Sequence, residues 1–283
     1  MNPPPSRDST AGSAYLDLQA AARATGRPVD ELFQFYALEG FLRPLVETDH
    51  AAAFVLKGGV LLAAYTERRP TRDIDLAGTN VDGDIAAITG AIADIVNVDL
   101  DDGLDQLTIA RVEEIRDNAT YPGIRVTIAG KLDRAKLRFH VDINIGDPLW
   151  PEPDLVELPQ LLHAEPIPLR GYSAELVLAE KIITAIQRGT ASTRWRDFVD
   201  IAALASVPLN TTQLSKALQM VADHRQVNIR PLADTLAGYA DLAQSRWSAW
   251  RSRQALDTTP ERFADLLNQV ISFTDPLLQP LTN

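Results

Sequence analysis

The 283-residue chain has no cysteine, which excludes disulfides and thiol catalysis. It has no apolar run long enough to span a bilayer, and residues 1–13 are rich in proline and serine without the apolar core of a signal peptide. With no membrane partner indicated, the cytoplasm is the expected location. Histidine is scarce: His50, His140, His163 and His224 are scattered without ligand spacing. No internal repeat is evident. A surplus of basic residues is also missing, because the formal net charge is -11, unlike a domain that binds nucleic acid through a broadly positive surface. An RNA substrate must therefore meet a local basic patch, with Arg68, Arg69 and Arg72, the 131–138 stretch, and Arg188, Arg194 and Arg196 as candidates.

What is present is concentrated in two short motifs. Phe54-Val55-Leu56 is too short and too apolar for an amphipathic helix and predicts a buried strand, closed by Lys57-Gly58-Gly59. The two glycines allow a tight turn and close approach of backbone amides to a ligand. A helix is expected over residues 60–65, its N-terminal amides facing a phosphate, and Pro70 stops it before the next strand. That strand carries Thr71-Arg72-Asp73-Ile74-Asp75. Two carboxylates one residue apart on extended chain share a face, the geometry with which a divalent cation bridges protein to polyphosphate. Taken singly, an Asp-x-Asp is as much a feature of solvated loops as of metal sites. The strand–helix–strand order of the two motifs is what favours chemistry.

Residues 137–145 alternate, with Leu137, Phe139, Val141, Ile143 and Ile145 on one face and Arg138, His140, Asp142 and Asn144 on the other. Asp142 reads either as part of an ordinary polar strand face or as a third carboxylate beside Asp73 and Asp75. Three converging carboxylates repel one another unless a cation joins them.

Further along, Leu176, Val177, Leu178, Ile182, Ile183 and Ile186 recur at helical spacing, with Ser173 as N-cap and Gly189 past the end. Lys181 lies on the polar flank, where solvated charge and a phosphate contact are both open readings. Asp197 and Asp200 share one face of a following helix, with Arg194 and Arg196 at its entry. Ion pairing explains these four equally well. Trp195 suits either packing or stacking on a base.

Together, Lys57-Gly58-Gly59, Arg72-Asp73-Ile74-Asp75, Val141-Asp142-Ile143, Ala179-Glu180-Lys181 and the run Arg194 to Asp200 resemble the AbiEii/AbiGii-type nucleotidyltransferase toxins, a group to which the mycobacterial MenT toxins are similar. The resemblance spans residues 54–204. It implies an α/β (α+β) fold: a nucleotidyltransferase-like mixed-sheet core with N-terminal helices and a C-terminal helical region. It also implies magnesium-dependent nucleotide transfer from an NTP, a possible two-metal site, a cognate antitoxin in a toxin–antitoxin or phage-defence system, and an RNA acceptor such as the tRNA 3′ end, with arrest of translation. By the same resemblance Asp73, Asp75 and Asp142 are the metal ligands and, with Lys181, the catalytic set. Asp142 is then suited to activate the acceptor hydroxyl. Lys57, Gly58, Gly59, Thr71, Arg72, Arg196, Asp197 and Asp200 are implied to bind the nucleotide. One departure stands out: many nucleotidyltransferases have Gly-Ser where this chain has Gly58-Gly59.

The remaining sequence divides into an N-terminal tail and helices (1–50), a catalytic core (51–150), and a linker with a helical C-terminal domain (151–283). Helices are predicted over 13–25, 30–47 and 85–96, and strands near 107–115, 124–132 and 135–145. The proline-rich span 148–168 reads as a crossing loop, and helices follow over 214–221, 232–242 and 263–273. Two other functions compete with RNA modification. Nucleotide transfer to a protein or small-molecule hydroxyl needs less basic surface, and a non-catalytic partner-binding module needs no chemistry.

Overall fold

The computed structural model describes residues 4–79, 81, 84–115, 123–254 and 256–282. The chain forms two compact units, one running to Asp147 and including Asp154–Gly171, the other comprising Pro148–Pro153 and the chain from Tyr172 onward.

In the first unit, α1 (Thr10–Thr25) starts at Ser9, whose hydroxyl accepts from the Gly12 amide, and ends at the left-handed Gly26. Helix α2 (Val29–Glu47) is buried along most of its length through Leu32, Phe33, Phe35, Tyr36, Leu38, Phe41, Leu42 and Leu45, so it lies within the core. The expected 30–47 helix is therefore present as packing. Strand β1 (Phe54–Lys57) is wholly buried and leads into α3 (Gly58–Leu61), which tightens into a 3-10 turn at Leu62–Ala64. This helix begins on the glycines themselves, two residues before the expected start, because Gly58 takes a left-handed φ of 67° that bends the chain there. Strand β2 (Asp73–Gly78) follows, then α4 (Ile85–Val96), which buries Ile88, Ala91, Ile92 and Ile95 along one stripe. Strands β3 (Leu104–Ile115), β4 (Gly123–Leu132) and β5 (Ala135–Ile145) form a meander, with β4 and β5 joined through Asp133 and Arg134.

The 148–168 span differs from its expectation as a loop. It contains β6 (Asp154–Leu158) and the first two residues of β7 (Ile167–Gly171), an antiparallel pair that buries Val156, Leu158, Ile167 and Leu169. Proline is tolerated because β7 joins the rest of the sheet only at Gly171, opposite Leu56, so Pro168 interrupts no ladder on that side. The described strands form one sheet in the order β3-β4-β5-β2-β1-β7-β6, in which β2 and β5 run parallel and β1 and β2 antiparallel.

The second unit is helical. Helix α5 (Ala174–Arg188) is capped by the Ser173 hydroxyl and stops at Gly189, as the sequence predicts. It is followed by α6 (Trp195–Leu204), α7 (Thr211–Arg225), α8 (Leu232–Thr235), α9 (Tyr239–Arg253) and α10 (Phe263–Leu278). The helix expected over 232–242 is broken at the left-handed Gly238, and the amides of Leu232 and Ala233 donate to the buried Asp275 carboxylate. Phe263 centres an aromatic core, packing edge-to-face on Trp195 and Tyr239 at 5.3 Å each and on Phe198 at 5.7 Å. Trp195 is thus a core residue.

Candidate active site

Strand register draws the sequence-predicted residues of the first unit into rows. Lys57 of β1 lies opposite Asp75 of β2, Asp75 opposite Asp142 of β5, and Asp142 opposite Arg125 of β4. Directly cross-strand residues share a face of the sheet, so this is a continuous line of charge, positive at its two ends and doubly negative in the middle. One pleat along, Asp73 lies opposite His140 and His140 opposite Thr127, whose hydroxyl is 3.1 Å from His140 Nδ1.

The turn after β1 exists to let Asp75 in. A Cβ on Gly58 would stand 1.9 Å from Asp75 Oδ2, an impossible approach, so glycine is required by space as well as by φ. The Asp75 carboxylate accepts from the Gly59 amide. Burial pushes its pKa up; the Lys57 ammonium opposes that shift, while the charges of Asp142 and Asp73 add to it. Gly59 faces the other way: a Cβ there would meet Thr71 Oγ1 at 2.8 Å and the Arg69 guanidinium at 3.2 Å. The Thr71 hydroxyl and a cation thus crowd the place where a Gly-Ser motif would put its side chain. Arg72 is exposed.

Two partners of the row escaped sequence reasoning. Asp147 receives the Lys57 ammonium at 2.5 Å. Arg125 holds Asp142 in a fork, Nε to Oδ1 at 2.8 Å and Nη2 to Oδ2 at 2.6 Å. The Arg125 pairing had a signal in the sequence: a two-residue connection between the strands predicted over 124–132 and 135–145 fixes their register, and counting back from it sets Arg125 opposite Asp142.

This fork bears on the part expected of Asp142. Both of its oxygens are engaged by a guanidinium, and among the described residues no group of three or more histidine, aspartate or glutamate side chains is arranged to hold a metal ion. Asp73 and Asp75 do fit magnesium, which binds through one or two carboxylates and completes its shell with phosphate oxygens and water. The crowding of Asp75 by two further carboxylates is the observation that makes a cation welcome there.

Part of the expected basic patch is paired. Arg68 is bound to the buried Glu39 at 2.5 Å and lies over the Phe35 ring, and Lys131 pairs with Asp105. Arg194 pairs with Asp197, and Arg196 is exposed beside Gln254.

In the second unit, Lys181 of α5 is wedged between two carboxylates of α6, 2.7 Å from Asp200 Oδ2 and 3.0 Å from Asp197 Oδ1. Arg194 Nε completes the group 2.9 Å from Asp197 Oδ2. The helical spacing of Asp197 and Asp200 is what aims both at one lysine. Lys57, Gly58, Gly59, Thr71, Asp73, Asp75 and Asp142 therefore gather in one unit, and Lys181, Asp197 and Asp200 in the other.

Comparison with known proteins agrees with this architecture. Over 94% of its length the chain is similar to MenT4, a nucleotidyltransferase toxin of Mycobacterium tuberculosis H37Rv, covering 99% of that chain with 18% identity and a TM-score of 0.57. It is also similar to a proposed nucleotidyltransferase from H. pylori, with 13% identity and a TM-score of 0.53, covering 89% of this chain and 96% of that one. At such identities the likeness is one of fold. No curated protein matches the sequence. The sequence profile of the nucleotidyl transferase AbiEii toxins of type IV toxin–antitoxin systems matches residues 40–269, most of the chain, and the chain belongs to that family.

Proposed function

We propose that this protein is a metal-dependent toxin that transfers a nucleotide from an NTP to an RNA acceptor, the 3′ end of tRNA, and so blocks translation until a cognate antitoxin opposes it. The observation that carries this reading is the Asp73–Asp75 pair, set on one strand face in line with Lys57 and Asp142 and admitted by a glycine turn. In the reaction the acceptor hydroxyl oxygen bonds to the α-phosphorus, the bond to the β-phosphate bridging oxygen breaks, pyrophosphate leaves and the hydroxyl proton passes to solvent or a carboxylate. Asp73 and Asp75 would hold Mg2+, which when bound neutralises the developing phosphate charge. Gly59 and Thr71, with Arg72 at the mouth of the strand, would line the phosphates. Burial raises the Asp75 pKa, and the Lys57 ammonium opposes that rise. Lys181, held between Asp197 and Asp200, would take the nucleotide-binding part that the resemblance implies for it.

A second reading, transfer to a protein or small-molecule hydroxyl, is favoured by the net charge of -11 and by the pairing of Arg68, Lys131 and Arg194 with carboxylates. One assay separates the readings. Purified protein is incubated with Mg2+ and each labelled NTP, with total tRNA, protein extract or no acceptor, beside Asp73→Ala. Label on tRNA that vanishes in the variant is the expected result. Label on protein supports the second reading, and no transfer to any acceptor supports a partner-binding module.

A further inference from the structure

The fork between Arg125 and Asp142 has a chemical consequence for both residues. A carboxylate clamped through both oxygens directs at nitrogen the lone pairs a divalent cation would use, and it is a weak base for the same reason. Arg125 has the complementary property. Its Nε and Nη2 are fixed, its side chain keeps 32% of its surface exposed, and among the described residues nothing accepts from Nη1. A planar cation locked on one edge and open on another meets a phosphate oxygen in a defined direction, which a flexible lysine does not. Its place is also suitable: it stands next in line after Asp142 in the row that contains Asp75, and the Asp73 charge reaches it.

We propose that Asp142 is a positioning residue whose task is to hold Arg125, that Arg125 contacts the triphosphate of the bound nucleotide through Nη1, and that Asp73 and Asp75 alone hold the metal ion. This assignment rests on the nucleotidyltransferase reading above and reverses the part the sequence suggests for the third carboxylate. The simpler alternative, a fork that only staples β4 to β5, makes different predictions.

The test uses the full chain, with Mn2+ as a spectroscopic probe titrated without nucleotide and with labelled NTPs for binding and transfer. Arg125→Gln is expected to weaken NTP binding at least tenfold while Mn2+ affinity stays within twofold of the parent protein. Asp142→Ala should match it, the double variant should be no worse than either single one, and Asp142→Asn, which keeps one acceptor oxygen, should fall between. Arg125→Lys preserves charge and bulk, so its expected several-fold loss of NTP affinity at unchanged melting temperature reports geometry and not folding. A tenfold loss of Mn2+ affinity in Asp142→Ala would overturn the assignment and restore Asp142 as a metal ligand. NTP binding untouched by Arg125→Gln and Arg125→Lys would overturn it in favour of a staple. If the parent protein binds no NTP at all, the assignment falls together with the nucleotidyltransferase reading.

Discussion

Two charge clusters organise this molecule, and they are balanced differently. In the helical unit, Lys181 and Arg194 face Asp197 and Asp200, two cations against two anions, with every pair within 3.0 Å where it is bonded. In the sheet unit, Lys57 and Arg125 stand at the two ends of a row whose middle is Asp75 and Asp142, and the charges of Asp142 and Asp73 add to the burial that raises the Asp75 pKa. A self-satisfied cluster holds a side chain still. A cluster that sets carboxylates beside one another, with glycine enforcing the close approach, is poised to receive a positive ion.

The sharpest way to break this comparison is to remove one anion from each side. Asp73→Ala and Asp75→Ala should each lower nucleotide transfer by ~10³-fold or more, the several kcal/mol of charge stabilisation that a bound metal contributes. Mn2+ affinity should fall at least tenfold in each; a variant that loses transfer but keeps Mn2+ binding would contradict the metal-site picture. Asp200→Ala should act on stability instead. Asp200 is 2% exposed, and removing it leaves a mostly buried ammonium short of a partner, which costs about 3 kcal/mol in a denaturant titration.

The turns give a gentler contrast. Gly58→Ala should destabilise by about 2 kcal/mol, through positive φ plus a collision with Asp75, and should weaken Mn2+ binding as Asp75 is pushed aside. Gly238→Ala, also at positive φ but with nothing near its Cβ, should cost only about 1 kcal/mol and leave Mn2+ binding alone. Equal losses would show that backbone strain, not crowding, governs Gly58. The smallest expected effect is stabilisation by Mg2+, about 0.8 kcal/mol at roughly a threefold excess over its dissociation constant, read as a melting shift that Lys181→Met keeps and Asp73→Ala loses.

How far the sequence discloses all this depends on whether the controlling contact is local. The cap at Ser173, the stop at Gly189 and the alternation that puts Asp142 on the polar side of β5 are local, and the structure has them where the pattern predicts. The Arg125–Asp142 pair is nearly local, fixed by a two-residue connection. The parallel pairing of β2 with β5 has no such ruler in the sequence, and neither does the Lys57–Asp147 bond. Strands β6 and β7 were hidden by prolines that a sheet tolerates only because of how β7 is placed. Helix α9 buries only Tyr239, Ala243 and Trp247, a stripe too thin to stand out among its arginines and serines.

That parallel pairing also sets a timetable for synthesis. Asp75 leaves the ribosome with β2 but finds Asp142 only after α4, β3 and β4 have been made and β5 has closed against it. Because the acidic row cannot exist on a nascent fragment, any chemistry it supports has to wait until most of the first unit has been translated.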